Sequence, residues 1–303
     1  MPGIILEGGT FRPIFSAGVM DALLDEDIMF PYMIGVSAGI CDGFSYISKQ
    51  KERNLKILMN HRNDKRYLGA GNLLKDKSLF GLDFVYDTIP NKLYPFDWKT
   101  FYEYEGRIRV GVTNAWTGKV EYKDGMKLDK KCMMLRATCA IPLVFPAIYV
   151  DGKPYYDGGL ADPIPIRKSI KDGNEKNLIV LTRPEGYRKE LSRSHKITAK
   201  LLKRKYPHLP ELLMKRHIEY NKTVRYCEKL EQEGKAVILR PEYPIESLEK
   251  DIDVLKQTYD MGYRMTKEKI DKIRELFYLF KCPTGREGSD KIYFIRLKRR
   301  RAG

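Results

Sequence analysis

Long apolar runs, paired cysteines and clustered histidines are all scarce in this 303-residue chain, and each scarcity removes a class of protein. The longest apolar stretch, near 141–150, is ten residues long and is broken by Pro142 and Pro146. A bilayer-spanning helix needs about 20 residues. The five cysteines, Cys41, Cys132, Cys139, Cys227 and Cys282, are scattered, odd in number and free of any C-x-x-C pair. That pattern argues against a disulfide framework or a zinc site and for reduced core thiols. Four histidines, His61, His195, His208 and His217, form no H-E-x-x-H or other metal spacing, so a metal site is not expected. No secretory signal is visible in these residues, since Glu7 and a glycine pair interrupt the apolar start at once. The expectation is an intracellular, cytoplasmic protein.

What is present is a globular composition, 43% hydrophobic and 32% charged, sufficient for a sizeable core in one large domain. Charge is unbalanced at +16. Half of that excess lies in 183–222, where twelve Lys and Arg face four Asp and Glu. The C-terminus adds Lys298, Arg299, Arg300 and Arg301. A solvated helix face explains such a run as readily as attraction to an anionic surface, whether membrane lipid or nucleic acid. No helix-turn-helix, RNA-recognition or zinc-finger pattern accompanies it, so nucleic acid is not an expected partner.

Along the chain, "GIILEGG" reads as a buried strand ending in a glycine pair, and "RPIFSAGVMDALLDEDI" as a helix with Pro13 in its first turn. "PYMIGV" and "AGICDGFSYISKQ" repeat the strand–helix pattern within the first 50 residues, which points to an α/β fold with a parallel sheet. The segment 51–95 reads as an irregular helical excursion. Two strands follow around Thr117 and Gly118, then a helix in "KKCMMLRATCAIP" halted before Pro142. A hairpin turning at Asp151 and Gly152 delivers Asp157 into a second glycine pair. The strand "NLIVLTRP", basic helices over about 192–232, the strand "AVILRP" and a helical end over about 247–280 complete the chain. With no repeat or low-complexity linker, 1–303 is expected to form a single domain.

The chemistry concentrates at three places. Gly35, Ser37 and Gly39 spell G-x-S-x-G between an apolar strand and a helix. At such an elbow a strained turn projects the serine oxygen, and the new helix directs backbone N–H groups towards developing negative charge. An ordinary turn with a helix-capping serine is the competing reading. A serine needs a base. The late histidines 195, 208 and 217 follow it in the order of a Ser–Asp–His triad but sit in the basic stretch without strand-end context. Asp157 is the better partner, because it follows strand-forming "KPYY" and precedes Gly158 and Gly159. An ionised carboxylate can accept the hydroxyl proton. Asp162, placed before a proline, reads as a turn former. Gly8, Gly9 and Thr10 supply a backbone loop open to an oxyanion, with Arg12 beside it. The same loop lacks both G-x-x-x-x-G-K-[ST] and G-x-G-x-x-G, which argues against a nucleotide site.

In this order, the glycine turn at 7–13, G-V-S-A-G at 35–39 and D-G-G at 157–159 resemble the patatin-like phospholipase family, and "ATCAIPLVFP" at 137–146 is similar to the family's segment before the aspartate hairpin. The resemblance covers about 3–185 and looks closest to the bacterial, cytoplasmic-type esterases. It implies a three-layer α/β/α sandwich with a mostly parallel central sheet and a helical C-terminal extension. On that reading 1–185 is the catalytic core and 186–303 a basic helical part packed on it. It also implies a Ser–Asp dyad without histidine: Ser37 as nucleophile, Asp157 as general base, and Gly8, Gly9 and Thr10 as the oxyanion loop. Arg12, Gly35, Gly39, Gly158 and Gly159 support them. Two positions depart from the family pattern G-G-G-x-R-G: Thr10 adds bulk and Pro13 has no N–H. The implied activity is hydrolysis of a lipid or lysophospholipid ester through an acyl-enzyme. Acyl transfer through the same intermediate and a catalytically weakened lipid-binding protein are the alternatives. Leu79, Phe80, Phe84, Tyr94, Phe96 and Trp98 could line an acyl cleft or belong to ordinary core, and 183–222 could meet anionic membrane.

Overall fold

The computed structural model describes residues 1–278. Residues 279–303, including Cys282 and the basic residues Lys298, Arg299, Arg300 and Arg301, lie outside the described residues. All four residues of β1 (Gly3–Leu6) are buried, yet they serve two cores. Ile4 and Leu6 join one hydrophobic cluster and Ile5 the other. The same split recurs in β2 (Tyr32–Val36), β7 (Asn177–Val180) and β8 (Ala236–Leu239), where Met33, Leu178 and Leu239 face one side and Ile34, Ile179 and Ile238 the opposite side. Strands that are apolar on both faces need helices on both, and continuous apolar runs are the sequence signature of that arrangement. One face is covered by α1 (Ile14–Asp25), α2 (Ser37–Ile47) and α10 (Ile252–Glu268) through residues such as Phe15, Phe44 and Met261. The other is covered by α7 (Ile166–Lys171) and α9 (Leu209–Gln232) through Ile166, Tyr220, Val224 and Cys227. The result is the expected three-layer α/β/α sandwich.

Among the described residues the sheet has eight strands and runs β5-β6-β3-β2-β1-β7-β8, with β4 paired to β3 off that path. The pairs among β3, β2, β1, β7 and β8 are parallel, and β4 (Val120–Asp124), β5 (Ile148–Val150) and β6 (Lys153–Asp157) join antiparallel. The longest strand, β3 (Arg107–Asn114), is the ruler on which the rest is set. One of its two hydrogen-bonding edges is occupied by β4 over residues 109–113. The other is shared: β2 holds it up to Gly111, and β6 takes over from Val112. The end of β2 and the end of β6 therefore meet at one point of the sheet.

Two expected elements differ in extent. The helix before Pro142, α6 (Met133–Thr138), stops at Thr138 because Cys139 begins the turn that feeds the hairpin. The basic stretch is split into α8 (Arg193–Leu202) and α9 at a turn containing Pro207, whose ring disfavours helical geometry in the residue before it. The excursion 51–95 contains α3 (Arg53–His61), α4 (Asn72–Asp76) and a π-helical segment, Phe84–Leu93, with Pro90 inside it. Missing backbone donors such as proline's favour this wider winding. α10 lies against α1 at Gly18 and Gly262, where a Cβ on either would collide with a backbone carbonyl of the other helix. The α10 end of the chain is thereby seated directly on the first helix of the fold. No helix among the described residues is long and apolar enough to cross a membrane.

Candidate active site

Ser37 sits where β2 ends. Val36 is extended at φ −139° and ψ 155°, and the next residue opens α2 with φ 55°. A side chain in that left-handed region is strained, by about 1–3 kcal/mol, so the surroundings must hold it. Thr138 does so from α6: its hydroxyl accepts the Ser37 N–H at 2.9 Å and donates to the Gly111 carbonyl at 2.6 Å. The turn is also crowded. A Cβ on Gly35 would come within 2.7 Å of the Leu6 carbonyl, one on Gly8 within 2.6 Å of the Ser37 Cβ, and one on Gly39 would collide with the Glu7 carbonyl. These glycines let the β1 loop and the elbow touch.

Asp157 arrives from the same point of the sheet. Gly111 pairs with Val36 and Val112 with Asp157, so adjacent residues of β3 carry the serine's predecessor and the aspartate. The Asp157 backbone is locked at both ends: its N–H donates to Ala140 at 2.8 Å and its carbonyl accepts the Thr113 hydroxyl at 2.8 Å. Its carboxylate accepts the Gly159 N–H at 2.7 Å, and the Ser37 side chain lies close enough to lower its pKa. Burial pushes the Asp157 pKa up. The nearby Ser37 hydroxyl, the hydrogen bond from Gly159 and the charges of Arg216 and Lys189 pull against that rise. Gly158 packs on the Gly111 carbonyl with no room for a side chain. Asp162 stands apart from this pair, held by the Tyr122 hydroxyl at 2.5 Å.

The glycine turn lies alongside. Gly8 touches the elbow, Thr10 takes φ 59°, and the Gly9 carbonyl accepts the Arg12 N–H at 3.2 Å. A glycine would hold the position-10 conformation without strain, which is the physical meaning of threonine there. Among the described residues no backbone acceptor is used by the N–H groups of Gly8, Gly9 or Thr10. Pro13 precedes α1, and its carbonyl accepts the Ala17 N–H at 2.9 Å, so its missing donor costs the helix nothing. The Arg12 guanidinium packs under Gly9, reaches the Thr182 hydroxyl at 3.4 Å, and is depressed in pKa by burial and by Arg183.

A cavity of about 170 Å³ opens beside Ser37, Ala38 and Thr10 and is walled mainly by apolar side chains. Phe80, Phe96 and Trp98 line it, whereas Leu79, Phe84 and Tyr94 do not. Phe84 and Tyr94 instead pack edge-on against His61. No hydrogen bond among the described residues joins a histidine to Ser37 or Asp157. His195 is pushed down to about 4 by burial and then by Arg216. No group of metal-ligating side chains occurs among the described residues.

Three contributors escaped the sequence reading. Thr138 lies in the segment noted before the hairpin, but nothing in its composition marks it as a clamp. Arg216 and Lys189 were counted only as charge. Arg216, on α9, donates Nε–H to the Gly159 carbonyl at 2.7 Å, and the Lys189 ammonium rests 4.3 Å from the centre of the Tyr220 ring. Burial and the Arg216 charge lower Lys189 to about 7. Part of the basic stretch thus turns inward, towards the D-G-G turn.

Comparison with known proteins gives matches on both parts of the chain. A family model described as patatin-like phospholipase matches residues 4–169, more than half of the chain. A second, described as a domain of unknown function (DUF6363), matches residues 206–278. The uncharacterized protein YjjU of Escherichia coli (strain K12) is 24% identical over 199 residues, 60% of this chain. The chain spans about half (52%) of the length of that curated relative. Among solved structures, VipD from Legionella pneumophila superposes with a TM-score of 0.46 at 11% identity, covering 89% of this chain and 66% of VipD.

Proposed function

The chain belongs to the patatin-like phospholipase family, and from that premise we propose that it is a serine acyl hydrolase acting on a lysophospholipid, phospholipid or related lipid ester. The observation that supports the reading is the junction on β3, where Gly111 and Val112 hold Val36 and Asp157 side by side and bring Ser37 and Asp157 to one point of the sheet.

In the proposed reaction Asp157 accepts the Ser37 proton as Oγ attacks the ester carbonyl carbon. The N–H groups of Gly9 and Thr10 hold the oxyanion, with Gly8 closing the loop against the elbow. Ala38, first after the nucleophile and on the cavity wall, supplies a further donor from the unpaired first turn of α2. Collapse expels the alcohol, which takes the proton from Asp157. Water then attacks the acyl-enzyme, with Asp157 as base, and frees Ser37. An oxyanion donor of this type contributes roughly 100- to 1,000-fold in rate. A carboxylate is a weaker base than imidazole. Arg216 and Lys189 suit it to the task by opposing the burial that would keep it protonated. The apolar cavity accommodates the acyl chain, and neither metal nor cofactor enters any step.

The proposal extends to a peripheral contact with anionic membrane, in a reducing, cytoplasmic setting that suits the free thiols of Cys41, Cys132, Cys139 and Cys227. Its support is α8, where Ile197 and Leu201 are exposed among Lys196, Lys200 and Arg204. Hydrolysis of p-nitrophenyl esters tests the chemistry. Ser37→Ala and Asp157→Asn should each lower kcat/KM by at least about 1,000-fold with unchanged circular dichroism. Full activity in either variant removes the dyad.

A further inference from the structure

The charged and amide side chains that line the cavity beside Ser37 gather at one corner. Ser37, Ala38, Cys41 and Asp42 form one stripe of α2 along its wall, and Arg53 and Asn54 adjoin Asp42 there. Two members of this corner have their polar groups engaged. Arg53 donates Nε–H and Nη2–H to the Tyr94 carbonyl at 3.2 and 2.9 Å, and Nη1–H to the Ser45 hydroxyl at 3.1 Å. Asn54 donates Nδ2–H to the Asp42 carbonyl at 3.0 Å and accepts from the Ser45 hydroxyl at 2.7 Å. The Asp42 carboxyl is different. Among the described residues no hydrogen bond or ion pair meets it, and only the more distant charges of Asp21 and Arg53 act on it.

Asp42 is only half-buried, with its side chain on the cavity wall, so a carboxyl without a protein partner there is open to a ligand. Burial and the Asp21 charge favour its neutral form, Arg53 opposes them, and the balance lies well above the ordinary range. When protonated the carboxyl offers an O–H donor and a carbonyl acceptor together, and when ionised it still accepts a hydrogen bond. A hydroxyl complements both, since it too donates and accepts. Five residues separate Ser37 from Asp42 on α2, about 7.5 Å along the helix, so the group it meets lies several carbons beyond the ester carbonyl.

We propose that Asp42 reads a hydroxyl carried part-way along the acyl chain, making hydroxylated acyl esters the preferred substrates of this cavity. The assignment rests on the hydrolase reading only in taking the cavity to hold an acyl chain. It would make Asp42 a specificity-determining residue, outside the bond-breaking steps.

The test compares p-nitrophenyl decanoate with a positional series of monohydroxylated decanoyl esters. At the best hydroxyl position kcat/KM should exceed that of the plain ester about tenfold, the worth of one well-placed hydrogen bond. Asp42→Leu should bring that ratio to about one, and Asp42→Asn, whose amide can still donate and accept, should keep part of it. A flat positional profile in the unaltered protein overturns the assignment, as does a ratio that survives Asp42→Leu. If Asp42→Leu fails to fold, the profile of the unaltered protein decides. Calorimetric binding of free decanoic and hydroxydecanoic acids to Ser37→Ala, with and without Asp42→Leu, separates this inference from the hydrolase reading. Discrimination that depends on Asp42, together with no ester hydrolysis by the unaltered protein, would leave the inference standing and the hydrolase reading lost. Equal binding of the two acids would remove the inference.

Discussion

Arg216 shows how a residue can matter without announcing itself. It sits among twelve basic residues in 183–222, and nothing in their spacing distinguishes it from its solvated neighbours. Lys215 beside it pairs with Glu211 on the surface, while Arg216 points in to the Gly159 carbonyl. Ser37 and Asp157 were legible because each lies between a strand signal and glycines that only a tight turn requires. Their meeting, by contrast, follows from pairing to β3, which local sequence does not encode. The Arg216 charge gives a sharp expectation. Asp157 must be ionised to act as base, and burial has already raised its pKa. Arg216→Gln removes a charge that lowers it, so the pKa rises further. The acid limb of the kcat/KM profile should then move to higher pH, by about one unit for each 1.4 kcal/mol of lost interaction. An unmoved limb would leave Arg216 only the task of holding Gly159.

At the scale of elements, the buried strands were the easiest to read, since both faces of the sheet are covered and the apolar runs are unbroken. The excursion 51–95 was not resolved into α3, α4 and the π-helical segment, because its helices are short and take their stability from tertiary packing. The basic stretch was recognisably helical, but its division and facing were not visible. α8 buries Thr198, Ala199 and Leu202 and exposes Ile197 and Leu201, at 57% and 61%, beside Lys196, Lys200 and Arg204. Apolar side chains that stand outside the core among like charges suit the boundary of an anionic bilayer. Reversing Lys196, Lys200 and Arg204 together to glutamate should weaken sedimentation with phosphatidylserine-containing vesicles by at least about 100-fold, at about 1 kcal/mol per charge. Binding to neutral phosphatidylcholine vesicles should hardly change. Equal binding of the variant to anionic vesicles would assign the surface to solvent.

At the scale of the whole molecule, the site is gathered from distant parts of the chain: the turn after β1, the elbow after β2, the end of β6, and α9 beyond the patatin-like match. An α/β fold with a parallel sheet could be anticipated from the order of strands and helices, whereas the three-layer arrangement and the proposed chemistry came through the resemblance that three short motifs carry. How the later helices return to the first ones could not be anticipated, because the close approach of Gly18 and Gly262 depends on a crossing of helices more than 200 positions apart. The central claim is that this assembly makes one serine a nucleophile. Its most direct measurement is mass spectrometry after reaction with a fluorophosphonate. The account predicts a single covalent adduct on Ser37, absent from Ser37→Ala and formed at least about 100-fold more slowly in Asp157→Asn. An ester-hydrolysing preparation in which Ser37 stays unmodified would contradict it.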